Sequence, residues 1–327
     1  MSCCGRRGRR GVKLLVTGGS GYIGSVVAAL LLDAGHRVVV LDNLSTGHRD
    51  AVPDGADFVE AHVSDAAAVL TDGGFDAVLH FAARSLVAES VARPELYWAN
   101  NVVGSLALLS AMRSARVRRL VFSSTAATYG NPAETPITED APAAPLNPYG
   151  QSKLAIEHAI AGEAVASGLA AVSLRYFNVG GSHRGRGERH DPETHLIPNV
   201  LAVPAGRREA VDVFGTDYPT HDGTAVRDYL HVGDLAGAHL LALDAAQPGT
   251  HSVYNLGTGT GYSVREVVDA CRRVTGHPVP HVDRDRRPGD PPVLVASGAL
   301  AKTALGWTPQ RGLDRIVSDA WSFLCGP

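Results

Sequence analysis

The sequence predicts an α/β fold: a doubly wound parallel sheet followed by a smaller C-terminal part. Three observations predict it. Short apolar runs alternate with helical stretches through the first half of the chain, as in strands joined by crossover helices. Those runs are continuously apolar rather than alternating, the mark of strands buried on both faces. The first run ends in glycines that lead directly into an apolar helical stretch.

The elements follow in order. Residues 1–10 (MSCCGRRGRR) read as a disordered basic tail. From Val12 the pattern is strand, turn, helix: KLLVTGG is a strand, SVVAALLLDAG a helix closed by Gly35, and HRVVVLDN the second strand. FVEAH, DAVLHFAA and RLVFSST are further strands, and PELYWANNVVGSLALLSAMRSA lies between two of them as a helix. Asn147 and Pro148 mark the start of another helix, as cap and first-turn residue. After AAVSLRYFN the chain becomes rich in loops. HLIPNVLAVPAG, DLAGAHLLALDAA and SVREVVDACRRVTG read as helices, the last opened by a capping box of Ser263 and Glu266. The predicted division is 11–180 for the sheet domain and 181–327 for the second part, with about 225–255 returning to the first.

Composition excludes several classes. The chain has 327 residues, 19% of them charged, and a formal net charge of −3. That balance fits neither a basic nucleic-acid binder nor an acidic disordered chain. No apolar run reaches the ~18 residues that would suggest a membrane helix, and no apolar segment of signal-peptide length follows the basic tail. The cysteines Cys3, Cys4, Cys271 and Cys325 form neither a disulfide framework nor a paired zinc motif. The expectation is a soluble cytoplasmic protein, with no nucleic-acid or membrane partner.

Two motifs carry chemistry. In Thr17-Gly18-Gly19-Ser20-Gly21-Tyr22-Ile23-Gly24, glycines at 18, 21 and 24 join the first strand to the first helix. Gly18 permits a tight turn, Gly21 lets backbone N–H groups approach a pyrophosphate, and Gly24 allows close helix-to-strand packing. Asp42, at the end of the second strand, is placed to accept hydrogen bonds from an adenosine ribose and to repel a 2′-phosphate, which favours NAD over NADP. The second motif is Tyr149-Gly-Gln-Ser-Lys153 at a helix start. Residues four apart share a helix face. An ammonium beside the phenol is expected to lower its pKa from about 10 and make it a usable base. Ser123, Ser124 and Thr125 end the preceding strand and offer a hydroxyl to the same substrate oxygen.

These motifs, with HFAA, NNVVGS, LRYFNVGG, HLIPNV, FGTDYPTHDGTAVRDYLHVGDLA, YNLGTG and RRPGD, resemble the extended short-chain dehydrogenase/reductase family and its sugar-nucleotide 4-epimerases, from about Val12 to Trp307. The resemblance implies a Rossmann-type fold and a homodimer packed through helices such as Pro94 to Ser114 and Gln151 to Ser167. The implied reaction is NAD-dependent 4-epimerisation of a UDP-sugar, first UDP-glucose and UDP-galactose, through a 4-keto sugar.

Carried over by position, Gly18, Gly21, Tyr22, Ile23, Asp42, Asn43, Val63, Phe81, Ala82, Ala83, Asn100 and Tyr176 would hold NAD. Tyr149 and Lys153 would be the catalytic pair and also touch the cofactor, with Thr125 at the family's Ser/Thr position. Phe177 and Asn178 would face the sugar nucleotide. Leu196, Val213 and Phe214 would line the uracil pocket, and Arg227, Arg287 and Asp290 would hold diphosphate and ribose. His62 departs from the family's Asp beside the adenine. Leu294 occupies the position that gates N-acetylated sugars in the family.

Other readings are separable. A 4,6-dehydratase would be expected to carry an Asp-Glu pair after Thr125, where this chain has Ala126-Ala127. A UDP-pentose or UDP-N-acetylhexosamine 4-epimerase would use the same chemistry with another sugar pocket. A non-catalytic NAD-binding sensor could dispense with Tyr149 and the arginine pair. His183, Glu188, His190, Asp191 and His195 fit no helix-based ligand spacing, so no metal is expected and this loop reads as a lid over the nucleotide.

Overall fold

A computed structural model describes residues 11–71, 73–287 and 290–326. The expected basic tail, residues 1–10, lies outside the described residues.

The centre is a seven-stranded parallel sheet. Its strands are β1 (Lys13–Thr17), β2 (Arg37–Asp42), β3 (Asp57–Glu60), β4 (Ala77–His80), β5 (Arg119–Ser123), β6 (Ala170–Tyr176) and β7 (His251–Leu256). Their spatial order is 7-6-5-4-1-2-3. The order reverses between β1 and β4, which pair directly, with Thr17 opposite His80. Ligands of doubly wound sheets bind in the crevice at the carboxyl ends of strands at such a switch point.

Burial explains the continuous apolar runs. Leu14, Leu15 and Val16 of β1 are all fully buried, because alternate residues face two different cores. On one face α1 (Tyr22–Asp33) and the helix Val232–Ala245 pack around Val26, Leu31, Leu235 and Ala238. On the other, the helices Gly104–Ser114 and Pro148–Ser167 pack around Leu108, Met112, Ile156 and Ile160. Each buried Leu or Val of this kind contributes about 1.5–3 kcal/mol of transfer free energy.

The chain leaves the sheet at Tyr176 and returns to it at His251. The helix Val232–Ala245 and strand β7 therefore complete the first core. A separate cluster joins the helices Leu196–Leu201, Val264–Thr275 and Leu313–Cys325 through Val200, Val267, Cys271 and Ile316. The strands of this part are short. Val226–Arg227 pairs on one side with Tyr262–Ser263 and on the other with Val293–Leu294.

Local signals appear as the residues dictate. Asn147 accepts the N–H of Gly150 at 2.9 Å, with Pro148 opening the helix. Ser263 and Glu266 form the reciprocal capping box. Two expectations are corrected. The stretch from Pro94 to Ser114 is interrupted: an α-turn over Pro94–Tyr97, a π-helical segment over Trp98–Val103, then an α-helix from Gly104. A π-segment adds a residue to the turn and re-aims its side chains, here Asn100 and Asn101. The strand expected over DAVLHFAA ends at His80, so Phe81, Ala82 and Ala83 form a loop at the sheet's carboxyl edge.

Candidate active site

A cavity of about 440 Å³ opens along the carboxyl ends of β1, β2, β4, β5 and β6. It falls within the usual range for small-molecule sites. At one end lies the glycine loop. Gly18 has φ +72°, and a Cβ there would meet the Ala82 nitrogen at 2.5 Å. A Cβ on Gly24 would strike the Gly18 carbonyl oxygen at 2.2 Å. Gly21 caps α1 with no side-chain acceptor for the first-turn N–H groups, which leaves those donors for an anion. Asp42 is held in place by the N–H of Ser20 at 3.1 Å and that of Leu44 at 2.9 Å. Tyr22 donates its hydroxyl to the Gly181 carbonyl at 2.6 Å.

The centre of the cavity is a ring of hydroxyls and one amine. Thr125 accepts the Ala127 N–H at 3.1 Å, and its hydroxyl also bonds the phenol of Tyr149. Ser124 turns the other way and donates to Glu157, which is itself paired in the interior with Arg175. Ser123 and the Tyr176 hydroxyl share a short hydrogen bond. Beneath them, Thr17 and Ser105 bond the two ring nitrogens of His80 at 2.7 and 2.8 Å. Burial, with Lys153 nearby, pushes that imidazole down to about 3, so it works as a neutral link.

Lys153 corrects the expectation drawn from spacing. Its ammonium donates to the Ser123 carbonyl at 2.7 Å and lies over the Phe122 ring. Burial lowers its pKa to about 7, with Glu157 acting in the opposite direction. The Tyr149 phenol is raised, not lowered: burial pushes it up while the Thr125 hydroxyl opposes.

A second cluster is built from charged side chains. Arg227 and Arg287 converge on Asp290, at 3.6 and 3.1 Å, and the Arg287 guanidinium lies over the Phe214 ring. Arg227, Phe177, Asn178 and Leu294 line the main cavity. Leu196, Val213, Phe214, Arg287 and Asp290 are not among its lining residues: Leu196 packs against the separate helical cluster, and Val213 is buried on the strand Val211–Phe214. Val63, Phe81, Ala82, Ala83, Asn43, Ile23 and Asn100 all line it. His62 fixes Asn100 through a bond of 3.0 Å between its Nε2 and the amide oxygen.

Residues 14–257 match the NAD dependent epimerase/dehydratase family. The chain belongs to this family. It is 59% identical over 315 residues to the UDP-glucose 4-epimerase of Streptomyces lividans, with 95% of each chain covered. It is 58% identical over 314 residues to that of Corynebacterium glutamicum, again with 95% of each covered. The solved UDP-glucose 4-epimerase of Brucella ovis in complex with NAD matches with a TM-score of 0.90 at 48% identity, covering 95% of this chain and 97% of that one. The chain's own residues fit the family's cofactor. The capless N-terminus of α1 faces the cavity across Gly21, and the space a Cβ would take at Gly18 and Gly24 is already filled by backbone.

Sequence reasoning missed Glu157, Arg175 and His80. Glu157 had a signal: it stands four residues after Lys153 and eight after Tyr149, on the same buried helix face. His80 and Arg175 had none, because a polar residue inside an apolar strand shows its partners only in three dimensions.

Proposed function

We propose that this chain interconverts UDP-glucose and UDP-galactose, using NAD to epimerise carbon 4 of the sugar. The observation that carries the reading is that Tyr149, Thr125 and Lys153 meet at the middle of one cavity. The phosphate loop lines the same cavity, as does Arg227, which is paired with Asp290 beside Arg287.

NAD, when bound, supplies the acceptor and donor of the hydride at carbon 4. The backbone N–H groups around Gly21, Tyr22 and Ile23 hold the pyrophosphate. Asp42 and Asn43 hold the adenosine ribose, and Val63, Phe81, Ala82, Ala83, Asn100 and Tyr176 bound the remaining surface. Tyr149 takes the proton from the 4-hydroxyl and later returns it, while Thr125 orients the same oxygen. Lys153 in its charged form favours the phenolate and reaches the nicotinamide ribose. Arg227 and Arg287 neutralise the diphosphate by charge-assisted bonds, and Asp290 keeps the two guanidinium groups together. Asn178, with Phe214 under the Arg287 guanidinium, completes the nucleotide side. A grip on UDP alone leaves the 4-keto sugar free to turn and present its other face.

The same reading divides the chain near residue 180 and treats the second part as the substrate side. It assembles the chain as a homodimer. Val103 and Val165 are 59% and 86% exposed, on the two helices expected to pair, and Trp98 and Leu106 extend the apolar patch. No helix among the described residues is long and apolar enough to cross a membrane. The free thiols Cys271 and Cys325 suit the reducing cytoplasm.

The test is proton NMR of the purified protein with UDP-galactose and no added NAD. UDP-glucose should appear and approach one fixed ratio from either direction. Turnover of UDP-pentoses or UDP-N-acetylhexosamines alone would move the substrate assignment to those sugars. No turnover of any of them, with NAD bound, would leave a sensor.

A further inference from the structure

The loop from Gly187 to His195 carries a second arrangement that the epimerase chemistry does not use. Glu188 Oε1 lies 2.8 Å from His190 Nδ1 and 2.6 Å from His195 Nδ1. Glu193 Oε1 lies 2.9 Å from the same His195 nitrogen. One ligand atom from each of the four side chains falls within 4.8 Å of every other. Glu193 was no part of the sequence-level set; His183 and Asp191 are not in the group.

The His195 backbone N–H donates to Glu193 Oε1 at 2.7 Å, but the imidazole contacts leave a conflict. A single hydrogen on His195 Nδ1 cannot point at both Glu188 and Glu193. The Glu188 side chain is 8% exposed, and among the described residues no Lys or Arg forms an ion pair with either glutamate. With both imidazoles neutral, as metal ligands must be, the two carboxylates leave two negative charges, which a divalent cation would cancel. Two nitrogens and two oxygens are also a donor set that zinc accepts in tetrahedral geometry, at about 2.0–2.2 Å from the ion. Ligand atoms around such an ion stand about 3.3 Å apart. The three short pairs, at 2.8, 2.6 and 2.9 Å, would have to open by roughly half an ångström to reach that spacing.

We propose that Glu188, His190, Glu193 and His195 bind a divalent transition-metal ion of the zinc class, as a structural clip and not as part of the reaction. Its place gives it a purpose. Glu188, His190 and His195 line the mouth of the cavity beside Tyr22. The same loop is tied to the segment after β2: Arg189 pairs with Asp50 at 2.8 Å, and Arg186 donates to the Ala51 carbonyl at 2.8 Å. An ion at the four side chains would fix the remaining end of the loop and hold it across the phosphate end of the cofactor site.

The test uses full-length protein without an affinity tag, carrying Cys3→Ser and Cys4→Ser so that the only adjacent thiols cannot hold the metal. After dialysis against a chelator, Co²⁺ is titrated and read by visible absorption, with Zn²⁺ as competitor. The expected result is about one equivalent per chain with the intense bands of tetrahedral cobalt, displaced by zinc. His195→Ala and Glu193→Gln should each weaken binding by more than the roughly 10–100-fold that loss of an outer-shell partner costs. Circular dichroism checks that each variant is folded. If both variants misfold, the titration of the chain with its loop intact decides alone. No binding of either ion at micromolar concentration, or binding unchanged in folded variants, would overturn the proposal and leave an ion-pair clip. Epimerase activity enters none of these readouts, so the site and the catalytic reading fail separately.

Discussion

At one end of the cavity the binding groups are backbone; at the other they are side chains. The phosphate loop hangs from β1, whose residues Leu14 to Thr17 are fully buried, and its shape is set by glycines that tolerate no Cβ. The Arg227–Asp290–Arg287 cluster instead draws on a two-residue strand and on residues outside any regular element, and the Arg287 side chain is 61% exposed. The first end cannot change without breaking the sheet. The second can be retuned one residue at a time. A chemistry that keeps its cofactor and varies its sugar is well served by that asymmetry.

Four variants break or sharpen the comparison. The largest effect is expected at the junction of the two ends: Tyr149→Phe should keep NAD but cut turnover by about 10²–10⁴-fold, the usual worth of a positioned acid–base. Turnover near that of the unmodified protein would remove Tyr149 from the mechanism. Next, Glu157→Ala leaves Arg175 charged and unpaired in the interior, which costs about 3–5 kcal/mol for a buried pair. Urea unfolding should show the loss, and an unchanged midpoint would mean that Arg175 needs no carboxylate partner. On the adaptable end, Arg287→Ala should raise KM for the UDP-sugar about tenfold with little change in kcat. A fall in kcat alone would place Arg287 at the chemistry instead.

The smallest effect is a slope. The folded pKa of Lys153 lies below its ordinary value of 10.5, at about 7. The unfolded chain therefore binds more protons in that window, and this residue's contribution to stability rises with pH from about 7 towards 10. In NAD-free protein, Lys153→Met should flatten that part of the profile. Equal slopes by urea unfolding at pH 7 and pH 9 would show that the amine stays charged.

The backbone-built end was the legible one. Glycine spacing, the acid closing β2 and the cap at Asn147 are local signals, and each has a local cause. The hydroxyl–amine centre was legible only as residue types. Spacing put Tyr149 and Lys153 on one face but not the ammonium on the Ser123 carbonyl, because that partner comes from another strand. Glu157 with Arg175, and Thr17 with His80 and Ser105, were invisible for the same reason. The π-segment over Trp98–Val103 has no composition of its own and packs against the helix Pro148–Ser167.

Strand β7 has one more consequence. It returns to the sheet 75 positions after Tyr176, its last residue, Leu256, pairs with that same tyrosine, and the stretch between them contributes Arg227 and the helix Val232–Ala245. Neither half is a removable cassette. A chain cut near residue 180 would lose the helix that covers α1 and one edge of the sheet. Exchange of sugar preference between relatives by wholesale recombination would therefore strip the cofactor half of part of its core. New specificities have to arrive as point changes and loop replacements inside an intact chain.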